Sequence, residues 1–196
     1  EIPPDGIWVD LGGGTGSNLE HLGSRIRDLK HVYIVDLSPS LLAVARERVA
    51  ANGWTNVDVV QADALDFQLA DDVDIVTFSY SLTMIPDWFT AIEHARTMLR
   101  PGGQIGVVDF YHSRKFPADG MKKHSWLTRT FWSLLVSRDN VFLSPDHLPF
   151  LQGRFETIYL REDMAKVPYV LWMRIPFYIF VGRLRGNDAS ATQQDT

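Results

Sequence analysis

Between Val9 and Asn18 the chain reads VDLGGGTGSN, with four glycines among the five residues Gly12 to Gly16, directly after an apolar run. A glycine-rich turn between a strand and a helix strips away side chains, so backbone N–H groups can come close to a ligand. A dinucleotide site needs G-x-G-x-x-G, and the sixth position is Ser17 counted from Gly12 and Leu19 counted from Gly14. A P-loop needs Lys-Ser/Thr after its glycines, whereas Gly16 is followed by Ser17-Asn18. What remains is D-x-G-x-G-x-G, formed by Asp10, Gly12, Gly14 and Gly16. Two more carboxylates, Asp36 in HVYIVD and Asp63 in QADAL, stand at the ends of apolar runs. Any one of these Asp residues, taken alone, reads sooner as a helix cap or a turn; the set of them does not. Aromatic residues collect from the end of the fourth apolar run onward: Tyr80, Trp88, Phe110, Tyr111, Trp126, Phe131 and Trp132. Asp109, His112 and His147 are candidates for a proton acceptor or hydrogen-bond partner among them. No His/Asp/Glu group has metal-ligand spacing, and the chain has no cysteine to supply a thiolate.

Positioning these residues requires an α/β frame. GIWVDL, HVYIVD, VDVVQAD, VDIVTFSY and QIGVVDFY are β-branched runs that predict buried strands. Helices are expected between them, near Ser17–Asp28, from Ser38 to Gly53, and over Asp87–Leu99. In the second of these, Ser38 is the N-cap, Pro39 the first helical residue and Gly53 the terminator, with Leu41, Leu42, Ala45 and Val49 on the apolar face. Pro101-Gly102-Gly103 is expected to break the chain before the fifth strand. Strand–helix alternation implies a parallel sheet covered on both faces. After Tyr111 the pattern changes. His124–Asp139 reads as a helix with Trp126, Leu127, Phe131, Leu134 and Leu135 on one stripe. Arg154–Glu162 and Ile175–Leu184 then read as strands joined without a crossover helix, hence antiparallel if paired.

The chain has 196 residues, enough for one well-buried domain, and 45% of them are hydrophobic. One domain is placed at 1–186, with a polar, aperiodic tail at 187–196 expected to be disordered. The net charge of −5 argues against a nucleic-acid binder. The longest apolar run, Pro168–Gly182, contains Arg174 and two prolines and is too short to span a bilayer.

With these motifs in order, the chain resembles the class I S-adenosylmethionine (SAM)-dependent methyltransferases over nearly its whole length. VDLGGGTG matches their first motif, Asp36 their ribose-binding acid, Asp63 the acid near the adenine, and MLRPGG their signature before the fifth strand. A closing antiparallel strand pair is that family's sheet ending. The resemblance implies a Rossmann-like, seven-stranded, mostly parallel sheet with an antiparallel last strand and helices on both faces. It implies SAM as cofactor, bound by Asp10, Gly12, Gly14, Gly16, Asp36, Leu37, Asp63, Ala64 and Ser79. The helices that usually precede the first strand in that family are not in the chain, so a piece of a longer polypeptide is expected.

The acceptor end is less determined. Ser79-Tyr80-Ser81-Leu82 lacks the Asn/Asp-Pro-Pro-Tyr/Phe signature of amide methylation. Aromatic rings can instead surround a methylated ammonium, although Trp88, Phe110 and Phe131 read equally as core. Tyr80, Asp109, Tyr111 and His147 are the candidate catalytic set, with His112 as a further polar group.

The runs YSLTMIPDWFTAIEHARTMLRPGGQIGVVDFYHSRK, LSPDHLPFL and VPYVLWMRIPFYIFVGR are similar to the methyltransferase part of betaine lipid synthase. That resemblance implies successive N-methylation of a diacylglyceryl-homoserine lipid. It also implies a fused or associated partner domain that makes this lipid, and a cytoplasmic location peripheral to a membrane, the endoplasmic reticulum in a eukaryote. The alternatives are a methyltransferase of a quinone or soluble amine, and a catalytically silent SAM-binding scaffold. Between His112 and Arg129, Arg114, Lys115, Lys122, Lys123 and Arg129 face only one acid, Asp119. With the following aromatic stripe, residues 112–136 are a candidate for peripheral membrane contact. A solvated loop and sheet-packed helix, or a lid forming an acyl-chain groove, are the competing readings.

Overall fold

The computed structural model describes residues 3–136, 141–166 and 174–185; the tail at 187–196 and much of the run from Pro168 lie outside the described residues. Seven strands form one sheet in the order β3-β2-β1-β4-β5-β7-β6. They are β1 (Ile7–Leu11), β2 (His31–Asp36), β3 (Val57–Gln61), β4 (Val73–Ser79), β5 (Leu99–Phe110), β6 (Phe155–Lys166) and β7 (Arg174–Leu184). β1 to β5 run parallel, β7 pairs antiparallel with β5, and β6 pairs antiparallel with β7. This is the expected Rossmann-like sheet with its antiparallel ending.

Two cores cover its faces. On one, Val9, Leu11, Val76, Phe78, Val107 and Phe180 pack against α2 (Trp88–Met98) and α4 (His147–Arg154). On the other, Trp8, Val32, Ile34 and Ile75 pack against a 3-10 segment (Ser17–Asp28) and α1 (Pro39–Asn52). α1 has the expected ends: Ser38 Oγ accepts from the Leu41 N–H, and Gly53 closes the helix in the left-handed region at φ 62°. Leu42 and Ala45 are buried there, whereas Leu41 is exposed beside a cleft.

Two expectations need correction. Pro101-Gly102-Gly103 does not separate α2 from the strand; it lies inside β5. Leu99 pairs with Val73 and Gln104 with Ile75, so residues 100–103 bulge opposite Asp74 alone. Asp74 closes that bulge by accepting from the Ile7 N–H (2.8 Å) and Arg100 Nε (2.5 Å). α4 is the second correction: no helix was expected there, and Pro149 is tolerated because it falls in the first turn, where a missing N–H costs nothing.

Candidate active site

The sheet order reverses between β1 and β4, and the cleft sits at the carboxyl ends of the strands there, the usual ligand position in an open α/β sheet. Its volume is 460 Å³, within the range of small-molecule sites. β1 contributes Gly12 and Gly14 through its turn, β2 contributes Asp36, Leu37 and Ser38, the segment after β3 contributes Asp63 and Ala64, and the segment after β4 contributes Tyr80, Ser81, Met84 and Ile85.

Asp36 organises the cleft floor. Its Oδ2 accepts from the Gly14 N–H (2.9 Å) and its Oδ1 from the Ser38 N–H (2.8 Å). Each carboxylate oxygen keeps further lone-pair capacity. Asp63 Oδ1 accepts from the Leu65 N–H (2.9 Å), a local turn that presents Ala64 at the wall.

The glycines divide by task. A Cβ on Gly12 would lie 2.4 Å from Ser81 Cβ, and one on Gly16 2.7 Å from Ile34 Cδ1. Those two make room for the protein's own side chains. Gly14, at φ 53°, is different: its Cβ would meet nothing closer than Leu41 Cδ1 at 3.7 Å and would project between cleft-lining groups. It is the one position of the turn kept bare toward the ligand side.

Asp10 is fully buried beneath the turn rather than on the cleft wall. It accepts from Thr77 Oγ1 (2.6 Å) and Asn18 Nδ2 (3.0 Å), and Trp8 Nε1 donates in turn to Thr77 Oγ1 (2.7 Å). Burial pushes its carboxyl up to about 6, opposed by those two hydrogen bonds. Ser79 joins this network through Asn18 and opens on a separate apolar trough of 380 Å³ on the sheet face, with Trp8, Ile75, Val108 and Val181.

Of the four candidate catalytic residues, only Tyr80 lines the cleft. It has φ 54°, a left-handed conformation strained for a bulky residue. Its N–H bonds Val108 O (2.7 Å), its ring rests on Phe110 (4.8 Å), and it is 43% exposed. Partial burial, and then the Asp109 charge, push its phenol upward. Asp109 lies behind it, buried, accepting from Thr83 Oγ1 (2.8 Å), the Thr83 N–H (3.1 Å) and the Phe110 N–H (2.7 Å). It therefore ties the 3-10 turn Leu82–Met84, whose Met84 forms the cleft wall, to β5. Burial raises its carboxyl to about 6.

Tyr111 faces another, 180 Å³ cavity and donates its hydroxyl to Glu162. Burial and then that carboxylate raise its phenol far above the usual range. His147 is sealed between Trp88 (4.6 Å) and Tyr178 (6.3 Å), and neither ring nitrogen has a hydrogen-bond partner among the described residues. Desolvation lowers it to about 4, so it is neutral at ordinary pH. Trp88 packs between α2 and α4, and His112 bonds the carbonyl oxygen of its neighbour Ser113 (3.3 Å). Sequence reasoning missed Ser38, Leu41, Ser81, Met84 and Ile85 on the cleft. Their common signal is position, within about six residues after the end of β2 or β4.

Residues 9–103 match the sequence profile of the family described as methyltransferase domain. SAM is the cofactor that this match implies, and the cleft fits it: a bare Gly14, two carboxylates, and a remainder that is mostly apolar with Ser38 and Ser81 among it. Among relatives, the ubiquinone/menaquinone biosynthesis C-methyltransferase UbiE of Vibrio campbellii is 36% identical over 104 residues, 52% of this chain and 40% of that protein. UbiE of Hydrogenovibrio crunogenus is 32% identical over 112 residues, 56% and 44% of the two chains. The chain thus spans less than half the length of these relatives. In fold, the N-methyltransferase NodS from Bradyrhizobium japonicum, solved with S-adenosyl-L-homocysteine, superposes with TM-score 0.66 at 15% identity, over 91% of this chain and 78% of that one. The YcgJ protein from Bacillus subtilis gives TM-score 0.71 at 15% identity, over 94% of both.

Proposed function

We propose that this chain transfers a methyl group from SAM to a lipophilic small molecule, with a quinone-type ring as the first reading. Support comes from the UbiE relatives and from the aromatic and aliphatic acceptor end of the cleft, Tyr80, Met84 and Ile85. The observation that carries it is Tyr80, held in a strained conformation beside the cofactor residues with its ring on Phe110. SAM, when bound, supplies an electrophilic methyl on a sulfonium. The Gly12–Gly14 backbone receives the methionine end, Asp36 accepts from the ribose hydroxyls, and Leu37, Asp63 and Ala64 enclose the adenine. Asp10, Gly16 and Ser79 act from behind, by holding the turn. In-line transfer then needs little beyond alignment and exclusion of water.

A second reading, N-methylation of the amine of a diacylglyceryl lipid such as diacylglyceryl-homoserine, is favoured by one specific feature. The described residues lining the cleft include no histidine, lysine or arginine. A neutral amine needs no base to attack, and the resulting ammonium is attracted by the Tyr80 and Phe110 rings. Under this reading an associated partner domain supplies the homoserine lipid.

Mass spectrometry after incubation with methyl-labelled SAM and either a prenylated hydroquinone or diacylglyceryl-homoserine separates the readings. Label on the ring carbon supports the first, label on the amine supports the second, and SAM binding with no label on either overturns both in favour of a silent scaffold. Asp36→Ala should weaken SAM binding about ten- to a hundredfold, from loss of charge-assisted hydrogen bonds of ~1.5–3 kcal/mol. Unchanged affinity by calorimetry removes the ribose assignment.

A further inference from the structure

α3 (Trp126–Val136) faces the wrong way for a helix of an isolated domain. At helical spacing, Trp126, Leu127, Phe131, Leu134 and Leu135 share one half of its surface, and all five are exposed, Trp126 at 66% and Leu127 at 68%. The buried side carries Trp132, 4% exposed, together with the half-buried Thr128 and Arg129. Folding has left the apolar stripe in water and turned a mixed face inward.

The loop leading into α3 continues this surface. Phe116 is 76% exposed and lies between two ammonium groups, Lys115 Nζ at 5.4 Å and Lys123 Nζ at 5.7 Å from its ring. Lys122 is exposed beside them. Arg114 is already committed to Asp146 (2.7 Å). The patch is thus an exposed set of Trp, Phe and Leu side chains accompanied by lysines.

We infer that α3 and the Phe116 loop form a docking surface for an anionic lipid bilayer, the apolar side chains entering the acyl boundary and Lys115, Lys122 and Lys123 meeting lipid phosphates. Charge complementarity selects that occupant. A protein partner would have to cover lysines set around a protruding phenylalanine, whereas a bilayer accepts both at their natural depths. The surface is connected to the cleft: Trp132 clusters with Leu143, Ile175 and Phe110, and Phe110 carries the Tyr80 ring. Seating α3 on lipid therefore brings the acceptor end of the cleft close to the bilayer. The inference goes beyond the acceptor assignment and does not depend on it.

The test is flotation of the full chain with phosphatidylcholine vesicles, with and without phosphatidylglycerol. Binding should require the anionic lipid and weaken with added salt. Lys115→Gln with Lys123→Gln should lower the partition coefficient about thirtyfold, taking each lysine at its usual surface value. Leu127→Glu should abolish flotation. All variants should keep the wild-type melting temperature and SAM affinity, since the altered side chains are exposed and none of them lines the cleft. Equal flotation of wild type and Leu127→Glu overturns the inference. So does the absence of flotation together with a solution dimer that Leu127→Glu dissociates, which would make the stripe a protein interface.

Discussion

Two glycines of one turn fail in different ways when given a methyl group. Gly12→Ala puts a Cβ 2.4 Å from Ser81 Cβ at φ 69°, so it should lower the melting temperature markedly, with part of the loss recovered by adding Ser81→Gly. Gly14→Ala meets no atom closer than 3.7 Å; it should cost only about 1 kcal/mol of stability for its positive φ while SAM affinity falls at least tenfold by calorimetry. Equal loss of affinity in both would show that the two positions serve the same purpose. Tyr80→Gly provides the converse case. It relieves left-handed strain of about 1–3 kcal/mol and gives up a ring contact of about 0.5–1.5 kcal/mol. Its melting temperature should hold or rise while methyl transfer falls. The sequence carried the identities of these residues but not their division of labour. That Gly12 answers to Ser81, or that Asp10 lies under the turn bonded to Thr77, depends on contacts between residues some seventy positions apart.

At the level of elements, the 3-10 turn after β4 is positioned by a neighbouring strand rather than by its own sequence. Both the hydroxyl and the N–H of Thr83 donate to Asp109 of β5, and Thr83 O accepts from the Phe142 N–H (2.8 Å). Thr83→Val keeps the shape and removes one charge-assisted bond, so it should cost about 1.5–3 kcal/mol. That cost should be present above pH 6 and shrink below it, as Asp109, raised to about 6, takes up a proton; denaturant melts at two pH values check this. Strands and α1 were legible because β-branched runs, Ser38, Pro39 and Gly53 act locally. The β5 bulge and α4 were not. Pro-Gly-Gly is a breaker unless a partner such as Asp74 closes the bulge, and Pro149 argues against a helix unless it falls in the first turn. The α3 stripe was legible as a stripe; which way it faces was not, because periodicity carries phase but no direction.

For the whole molecule, acid stability is set by buried groups of opposite effect. His147 is lowered to about 4 from the usual 6.5, so the unfolded chain binds more protons between those values and stability falls as pH drops through that window. Asp10 and Asp109, raised to about 6, act the other way, adding stability as pH falls from 6 toward 4. His147→Leu removes the first effect and leaves the other two. Relative to wild type it should gain up to about 3 kcal/mol on going from pH 7 to pH 4, read from urea melts, and a parallel loss in both proteins would refute the assignment. The tie between Thr83 and Phe142 has a kinetic corollary. It fastens the wall of the cleft to Phe142, beside Leu143, which packs against Trp132 of α3, and so links the acceptor end to the face proposed above for docking. Under the proposed docking, the acceptor is sampled in two dimensions. The velocity should track the mole fraction of acceptor in the vesicle surface, and diluting the acceptor with inert lipid should slow turnover even when its bulk concentration is held constant.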